Sequence, residues 1–306
     1  MKKALVIGGT GTLGQVLVPI LLQHYDRVRI LSRDEHKQIS MQEKLNDDKL
    51  DFIIGDIRDV NRLYYAIKGV DIVFHLAAIK SVDKAEYNPN EAISINILGT
   101  QNVIDQCIKH DIPKAIFTST DKAVEPLNIY GSSKMTAEKL WILSNAYVGE
   151  GRTRFSALRY GNVLGSHSSV IDKWKKGGCK LTDPTMTRFW LTIEQAADFV
   201  FQSSQRMNCG EVFIPKMKSS TMGDLVKVAK ITPEIIGIRV GEKMHEKLIS
   251  ENEVPYVTDC GDYYILWPFQ PSYPIYKRGK AITGPLTSLN AERFSQQELE
   301  ALCTSV

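Results

Sequence analysis

Apolar residues follow two alternating patterns along the first half of the chain. Short continuous apolar runs, which are typical of buried strands, alternate with longer segments in which apolar residues recur every three or four positions, as on one face of a helix. The strand-like runs cover residues 4–7, 27–31, 52–55, 71–75, 114–117 and 153–158. Strands that alternate with helices in this way predict an α/β fold with a parallel, doubly wound sheet.

The pattern becomes less regular after residue 160, and a chain of 306 residues is long enough for two unequal domains. Three later segments do not continue the alternation: residues 183–191, 237–242 and the Pro- and Tyr-rich 262–276. We therefore expect residues 1–160 to form the sheet domain, with part of 190–215 returning to it. Residues 161–306 are expected to form mainly a smaller domain that closes over the edge of the sheet.

The first strand-like run ends in a glycine-rich turn that leads into a helical pattern. Glycines in such a turn allow a tight bend, let a pyrophosphate approach the backbone, and leave the helix amino terminus facing the phosphates. Turns use glycine for other reasons too, so the flanking strand and helix carry the prediction of a dinucleotide site. The expected contacts come from Gly8, Thr10, Gly11, Thr12, Leu13 and Gly14.

The second strand ends at Ser32, Arg33 and Asp34. A site that prefers NAD places a lone carboxylate about here, where it meets the ribose hydroxyls. Arg33 and the Ser32 hydroxyl instead offer a guanidinium and a donor to a 2′-phosphate, which favours NADP over NAD. In the alternative interpretation, Arg33 is a solvated loop residue and Asp34 caps the following helix.

Further cofactor contacts are expected where the third and fourth strands end. Asp56 and Ile57 follow the third strand, where a carboxylate could meet the adenine amino group, although a nearby carboxylate, Asp59, could equally cap a helix. The fourth strand leads into residues with small side chains that would let a nicotinamide lie against the backbone. These residues are Leu76, Ala77 and Ala78, and Lys80 follows on the expected substrate side.

Chemically active side chains converge around the fifth strand. Thr120, Asp121 and Lys122 follow its carboxyl end, which is where open α/β sheets bind ligands. Tyr130 and Lys134 are four residues apart at the start of a helical pattern, so the phenol and the ammonium share one face. A cation beside a phenol lowers the tyrosine pKa, which predicts a proton acceptor near neutral pH. A lone Tyr-x-x-x-Lys is usually a surface pair, but this one accompanies three other active groups.

A second helical stretch, from about Pro89 to His110, carries Asn96 in its apolar face. A buried amide must be hydrogen-bonded, so we expect Asn96 to pin a neighbouring strand near the active loop. This stretch and the one from Tyr130 to Tyr147 carry apolar residues on more than one face, which predicts a homo-oligomer.

Composition excludes several classes of function. The chain is 43% hydrophobic and 24% charged, and its net charge of +3 comes without a Lys/Arg run, so no nucleic-acid surface is indicated. The apolar stretches are too short for a membrane span, and the first residues run directly into a strand rather than a signal peptide. A cytoplasmic protein is therefore expected. The five cysteines form no Cys-x-x-Cys pair, so neither a metal site nor a disulfide framework is expected.

On these motifs the chain resembles the extended short-chain dehydrogenase/reductases, which have a Rossmann-type sheet and a smaller substrate domain. Within them it is similar to the UDP-N-acetylglucosamine 4,6-dehydratases of bacterial surface-polysaccharide synthesis. The narrower likeness rests on segments 32–35, 119–124, 159–163, 186–190 and 241–246. Dehydratases that act on dTDP-glucose have Asp-Glu where this chain has Asp121-Lys122, and epimerases have neither. Tyr130 matches the 5-inverting enzymes, although the chain is short for that group, so retention or inversion at C5 stays open.

The resemblance implies a role for each active side chain. Tyr130, assisted by Lys134, would take the proton of the sugar 4-hydroxyl while NADP⁺ accepts the C4 hydride. Lys122 would then remove the C5 proton, for which its pKa must be depressed by burial or nearby charges. A protonated Asp121 would donate to the departing 6-hydroxyl, and Thr120 would hold the 4-oxygen.

The resemblance also implies a group of side chains that bind the UDP moiety. Guanidiniums suit a pyrophosphate, and a carboxylate suits ribose hydroxyls. Alternatively, Arg188 is an ordinary ion-pair partner, and Glu242 is a surface residue like His245. The implied set is Arg159, Asn162, Arg188, Arg239 and Glu242.

Rival functions differ in the chemistry they need. A related enzyme could stop at the 5,6-ene, or act as a 4-reductase or 4-epimerase. The Asp121-Lys122 pair argues against the last two because neither needs a base at C5. A non-catalytic NADP-binding regulator with the same fold is a further alternative.

Overall fold

A computed structural model describes residues 1–149, 151–165, 174, 178–268 and 278–304. The predicted Pro- and Tyr-rich segment 262–276 lies outside the described residues from position 269 onward. Among the residues described, no helix is both long and apolar enough to cross a bilayer.

The elements of the described chain alternate through the first 160 residues. The strands are β1 (Lys3–Ile7), β2 (Arg27–Ser32), β3 (Leu50–Ile54), β4 (Ile72–His75), β5 (Lys114–Thr118), β6 (Arg154–Leu158), β7 (Asn162–Leu164), β8 (Cys179–Leu181), β9 (Thr187–Thr192), β10 (Val212–Pro215), β11 (Ser219–Thr221), β12 (Pro233–Ile235), β13 (Lys247–Ile249), β14 (Val257–Asp259), β15 (Tyr263–Leu266), β16 (Lys280–Ala281) and β17 (Leu286–Thr287). The α-helices are α1 (Thr12–Leu22), α2 (Glu35–Leu45), α3 (Val60–Ile67), α4 (Val82–Tyr87), α5 (Pro89–Ala92), α6 (Thr100–Lys109), α7 (Ile129–Leu143), α8 (Ile193–Arg206), α9 (Met222–Val228) and α10 (Gln296–Thr304).

One ten-stranded sheet forms the centre of the molecule, in the order β16-β14-β15-β10-β6-β5-β4-β1-β2-β3. The strands from β10 to β3 in this order pair in parallel, whereas β15, β14 and β16 extend the sheet in antiparallel fashion. The strand order reverses between β1 and β4, which opens a crevice at their carboxyl ends. The predicted Rossmann-type doubly wound sheet is therefore confirmed.

All six predicted strands are present, each shifted by at most a few residues at its ends. The central strands read as continuous apolar runs because helices cover both faces of a parallel sheet. Ala4, Leu5 and Val6 of β1, for example, have no exposed surface. The division into two domains at residue 160 stays a prediction. In the structure, α8 packs on α1, and four later strands join the main sheet.

The helical stretch from Pro89 to Lys109 is interrupted by a π-helix, Ile93–Gly99, between α5 and α6. This wider turn contains Asn96, which is buried. Its Oδ1 accepts a hydrogen bond from the Ile79 backbone N–H at 2.8 Å, and its Nδ2 donates to the Ile79 carbonyl at 3.0 Å and to Ser133 Oγ at 2.9 Å. The expected pairing of the amide is confirmed, and it ties the segment after β4 to α7. π-Turns are frequent at functional sites.

A buried ion triad fixes the other side of α7. Arg159, which follows β6, is only 2% exposed and lies between Glu138 of α7 and Glu253. Its Nη1 and Nη2 donate to the two Glu253 carboxylate oxygens at 3.0 Å each, and Nη1 also donates to the Leu248 carbonyl at 2.9 Å. The guanidinium therefore joins α7, β6 and the segment around β13.

The triad predicts a large cost for removing one partner. Glu138→Ala should lower the free energy of unfolding by about 3 kcal/mol, because a buried guanidinium loses one of its two counter-charges. Equilibrium unfolding in urea at pH 7 measures this loss. As a control, Glu292→Ala removes an exposed carboxylate that pairs with Lys218 and should cost less than about 1 kcal/mol. Equal losses in the two variants would show that the triad does not anchor α7.

Candidate active site

A cleft of about 580 Å³ opens at the carboxyl ends of the parallel strands. It runs from the end of β3, across the turn after β1, to the residues that follow β6. The cleft brings together most of the sequence-predicted site residues: Gly8, Thr10, Gly11, Thr12, Leu13, Gly14, Ser32, Arg33, Asp56, Ile57, Leu76, Ala77, Ala78, Lys80, Thr120, Lys122, Tyr130, Lys134 and Asn162.

The glycine turn after β1 is shaped by close backbone contacts. Gly8 has φ +82°, and a Cβ there would lie 2.9 Å from the Ala77 backbone nitrogen. A Cβ on Gly14 would overlap the backbone of Gly9, so only glycine lets α1 pack this closely on the turn. No side chain caps the first turn of α1, which begins at Thr12, so its N–H groups remain for an anionic ligand. The turn fits the phosphates of a dinucleotide.

The end of β2 places a cation at the rim of the cleft. The Arg33 side chain is 63% exposed, and its Nη1 lies 3.7 Å from Asp56 Oδ2. The Asp34 side chain accepts a hydrogen bond from the Lys37 backbone N–H at 3.1 Å, so this carboxylate caps α2, as the alternative interpretation held. Lys37 also lines the cleft and is a second cation that sequence reasoning missed. It lies one helical turn after the predicted cap.

Asp56, at the end of β3, is held by the neighbouring Arg58. Arg58 Nη2 lies 2.8 Å from Asp56 Oδ2, and the Arg58 backbone N–H donates to Oδ1 at 2.9 Å. Burial alone would raise the pKa of Asp56, but the hydrogen bonds from Arg58 outweigh it and lower the pKa. Asp59 caps α3 by accepting from two backbone N–H groups. Asp56 is thus an ionised carboxylate at the cleft, and its contact with adenine stays a prediction.

The turn after β5 gathers the catalytic candidates. Asp121 is fully buried, and its Oδ1 accepts hydrogen bonds from Thr120 Oγ1 at 2.9 Å and from Lys122 Nζ at 3.0 Å. Lys122 Nζ also donates to Asn162 Oδ1 at 3.0 Å. A Cβ on Gly131 would overlap the Lys122 carbonyl, so this glycine lets the start of α7 pack against the turn.

Tyr130 and Lys134 lie on the buried face of α7, as the four-residue spacing predicts. Lys134 Nζ donates to the Thr118 carbonyl at 2.6 Å and lies 3.8 Å from the centre of the Phe117 ring. The Thr120 side chain lies beside the Tyr130 phenol and opposes the effect of burial on its pKa. The two side chains therefore reach the cleft from the helix side of β5.

The predicted depression of the Tyr130 pKa is wrong for this structure. Burial raises the pKa of the phenol, and the opposing influences of the Lys122 charge and the Thr120 hydrogen bond do not overcome it. Burial also lowers the pKa of Lys134 to about 7, so that ammonium is only partly charged at neutral pH. A phenol in this site needs a further positive charge, such as an oxidised nicotinamide ring, before it ionises readily.

The predicted depression of the Lys122 pKa is also wrong. Burial would lower the pKa of this ammonium, but Asp121 and Glu246 together outweigh burial and raise the pKa. Burial in turn raises the pKa of Asp121, with the charge of Glu246 acting in the same direction against that of Lys122. Asp121 thus favours the neutral form, which its predicted role as a proton donor requires.

Glu246 is the main functional candidate that sequence reasoning missed. It is buried, and its Oε1 lies 3.5 Å from Lys122 Nζ. In the sequence it is the last residue of the motif at 241–246, where nothing in the local pattern distinguishes a buried carboxylate from a surface one.

The predicted UDP-binding residues do not all reach the cleft. Asn162 lines it, but Arg159 does not, and the prediction for Arg159 is wrong because two carboxylates already neutralise its buried guanidinium. Arg188 donates to two backbone carbonyls, and its Nε lies 4.0 Å from Glu246 Oε1. This matches the alternative interpretation, in which Arg188 is an ordinary ion-pair partner. Arg239 and Glu242 pair with each other away from the cleft lining. Their contacts with UDP, and that of Arg188, stay predictions.

Comparisons with known proteins agree with this geometry. A family model described as "Polysaccharide biosynthesis protein" matches residues 4–268. The chain is 43% identical over 277 residues to a UDP-N-acetylglucosamine 4,6-dehydratase (inverting) of Campylobacter jejuni, covering 87% of this chain and 83% of the relative. It is 36% identical to a UDP-glucose 4-epimerase of Rickettsia rickettsii, covering 98% of this chain and 95% of that protein.

A solved structure shows the same fold over nearly the full length of both chains. The X-ray structure of Pen from Bacillus thuringiensis superposes with a TM-score of 0.91 at 37% identity, covering all of this chain and 98% of that one. The family model spans all residues that line the cleft, and it also includes Glu246. The chain therefore belongs to the polysaccharide biosynthesis protein family.

Proposed function

We propose that the protein is an NADP-dependent UDP-N-acetylglucosamine 4,6-dehydratase. The observation that carries this proposal is the buried contact between Asp121 and Lys122, which places an acid directly behind a base and an oxidation site, Lys122 and Tyr130, that line the cleft. The name of the 43% identical relative supports the same substrate and reaction. The product would be a UDP-4-keto-6-deoxy-N-acetylhexosamine for bacterial surface glycans, including nonulosonic acids, made in the cytoplasm.

The first step oxidises the sugar at C4. Tyr130 takes the proton of the 4-hydroxyl, and Thr120, whose side chain lies beside Tyr130, holds the same oxygen. Bound NADP would supply the hydride acceptor for C4 and the hydride donor for C6. The residues that would hold it are those of the glycine turn, the ends of β2 and β3, and the segment after β4.

Thr120 lies between Tyr130 and Asp121 and offers a route that returns the proton to Asp121. Its side chain is close enough to affect the Tyr130 pKa, and its Oγ1 donates to Asp121 Oδ1 at 2.9 Å. The proton gained by Tyr130 at the first step can therefore restore the proton that Asp121 gives away at the second. The site ends each turnover with the same number of protons.

The second step removes water across C5 and C6. The 4-ketone acidifies the C5 hydrogen, Lys122 takes that proton, and Asp121 donates to the departing 6-hydroxyl. Lys122 must first lose its own proton, which its two carboxylate neighbours oppose. A proton added to C5 then completes the product. Its return from Lys122 to the face it left gives retention, whereas a solvent proton on the opposite face, with Lys122 releasing its own proton to solvent, gives inversion, which Tyr130 favours.

A UDP-sugar 4-epimerase is the second candidate, because several relatives at 36% identity carry that name. An epimerase needs an oxidation site at C4 but no base at C5. The fully buried Asp121 and its contact with Lys122 would then serve no reaction step. Release of the 5,6-ene and a non-catalytic regulator remain alternatives that product analysis separates.

We further propose that the protein forms a homo-oligomer through α5–α7. Large apolar side chains on this surface are exposed, among them Leu98 at 56% and Leu143 at 55%. Light scattering at micromolar concentration should give a mass of at least twice 34.4 kDa. Leu98→Glu with Leu143→Glu should reduce it to one chain, while Ile39→Glu, at an exposed site on α2, should not. A monomeric parent protein would contradict the proposal.

Arg33 should set the preference for NADP. Arg33→Asp removes the guanidinium expected to meet the 2′-phosphate, so the ratio of NADP to NAD affinity should fall at least about tenfold. Isothermal titration with both cofactors measures the ratio, and Lys44→Asp, at the far end of α2, is the matched control. An unchanged ratio in Arg33→Asp would show that Arg33 is only a solvated loop residue.

Lys122 should separate the two chemical steps. Lys122→Ala removes the C5 base but leaves Tyr130 in place, so a single turnover should accumulate NADPH and a 4-keto sugar that retains its 6-hydroxyl. Absorbance reports the NADPH, and NMR identifies the sugar. Tyr130→Phe should instead suppress NADPH formation by about a hundredfold or more, the usual contribution of a general base. Dehydration at close to the parent rate in Lys122→Ala would refute the proposed function.

A further inference from the structure

Glu246 is a buried carboxylate next to the catalytic candidates. Its Oε1 lies 3.5 Å from Lys122 Nζ and 4.0 Å from Arg188 Nε. Its Oε2 is buried and has no hydrogen-bond partner within the described chain. Neither of the steps proposed above uses this carboxylate.

The backbone of Glu246 is fixed by a buried hydroxyl network. Its N–H donates to Ser288 Oγ at 2.9 Å, and its carbonyl accepts from the Ser288 N–H at 2.8 Å. Ser288 Oγ lies 2.6 Å from Thr187 Oγ1, which in turn lies 2.8 Å from His245 Nδ1. The carboxylate is therefore held toward Lys122 rather than placed there by a mobile side chain.

Two carboxyl groups share one ammonium in this cluster. Asp121 Oδ1 lies 3.0 Å from Lys122 Nζ, and Glu246 Oε1 lies 3.5 Å from it. Lys122 is the nearest cation to both carboxyl groups, so the carboxyl group that has further cations close to it ionises more readily, and the other one retains a proton more readily. The neighbouring charges decide which one.

The remaining charges favour an ionised Glu246. Arg188 and Lys243 act on Glu246 in addition to Lys122, and together they outweigh burial and lower its pKa. Asp121 faces Lys122 and the negative charge of Glu246, which with burial raises the pKa of Asp121. The same carboxylate also raises the pKa of Tyr130. The surrounding charges therefore favour the proton on Asp121 and the negative charge on Glu246.

The hydrogen bonds of Asp121 locate its proton. Oδ1 accepts from Thr120 Oγ1 and from Lys122 Nζ, whereas Oδ2 is buried without a partner among the described residues. A proton on Oδ2 leaves both existing hydrogen bonds intact. Such a proton is held by no other hydrogen bond among the described residues.

We propose that Glu246 is a positioning residue whose negative charge keeps the proton on Asp121 Oδ2. The proposal rests on the proposed function for its catalytic consequence. In that step the Asp121 O–H bond breaks as the C6–O bond breaks, the 6-hydroxyl leaves as water, and Lys122 holds the proton removed from C5. Without the charge of Glu246, Asp121 becomes the counter-ion of Lys122 and has no proton to give.

Infrared spectroscopy tests the proton assignment without requiring activity. At pH 7 the full-length protein should show a protonated-carboxyl C=O band that is absent from Asp121→Asn. Glu246→Gln, which keeps the shape but not the charge, should lose the same band, and Glu246→Asp should retain it. A band that persists unchanged in Glu246→Gln, or that is absent from the parent protein, would overturn the proposal.

The pH dependence of dehydration supplies the kinetic test. In Glu246→Gln the Asp121 carboxyl ionises at lower pH, so the alkaline limb of the dehydration rate should move to lower pH. The rate at pH 7 should fall at least about tenfold, while NADPH formation in the first step persists. Glu246→Asp should restore the position of the limb.

A structural control separates this role from simple destabilisation. Glu253→Gln weakens the buried Arg159 triad and should lower thermal stability without moving the alkaline limb. An equal shift in Glu246→Gln and Glu253→Gln would overturn the proposal. If the infrared result holds but the parent protein converts no UDP-N-acetylglucosamine, the proton assignment stands and the proposed function fails.

Discussion

The ammonium of Lys122 lies within 3.5 Å of two carboxyl groups, and the remainder of the active site is arranged around this contact. Asp121 comes from the turn after β5, whereas Glu246 comes from the segment before β13. A buried ammonium between two carboxyl groups is stable only if the number of protons on the cluster is fixed by its surroundings. The fold meets this requirement by bringing Arg188 and Lys243 near Glu246, whereas Asp121 is opposed mainly by Lys122.

Under the proposed function, this arrangement makes the later part of the chain a component of the chemistry. Thr187, Ser288 and His245 fix the backbone around Glu246, and Lys243 donates a hydrogen bond to the Val124 carbonyl just beyond the catalytic turn. On the other side, Arg159 joins α7 to the segment after β13. The active helix is therefore clamped between the parallel sheet and residues that follow it by a hundred positions or more in the chain.

The sequence predicts most of the parallel sheet and the cofactor half of the cleft because both depend on short-range patterns. Apolar runs mark the strands, the glycine turn follows β1, and the four-residue spacing of Tyr130 and Lys134 places them on one helix face. The antiparallel extension by β14–β16 is not visible in this way, since short strands with partly polar residues carry a weak signal. The sequence predicts the wrong sign for the pKa shifts of Lys122 and Tyr130. The charges of Asp121 and Glu246 outweigh burial at Lys122, and burial outweighs the nearby positive charge at Tyr130, a balance that only the tertiary structure sets. Arginine is a residue type that often binds phosphate, yet the contacts of Arg159 show a structural ion triad.

The central claim is that one cleft oxidises C4, removes water across C5 and C6, and returns the same hydride to C6. The most direct test uses UDP-N-acetylglucosamine that is deuterated at C4. The parent enzyme converts it in ordinary water, and NMR locates the deuterium in the product. The account predicts a 4-keto-6-deoxy product that carries the deuterium at C6. When the reaction is repeated with a C5-deuterated substrate, the product should carry solvent hydrogen at C5. A product that retains its 6-hydroxyl, or one whose C6 carries no deuterium from C4, would contradict it.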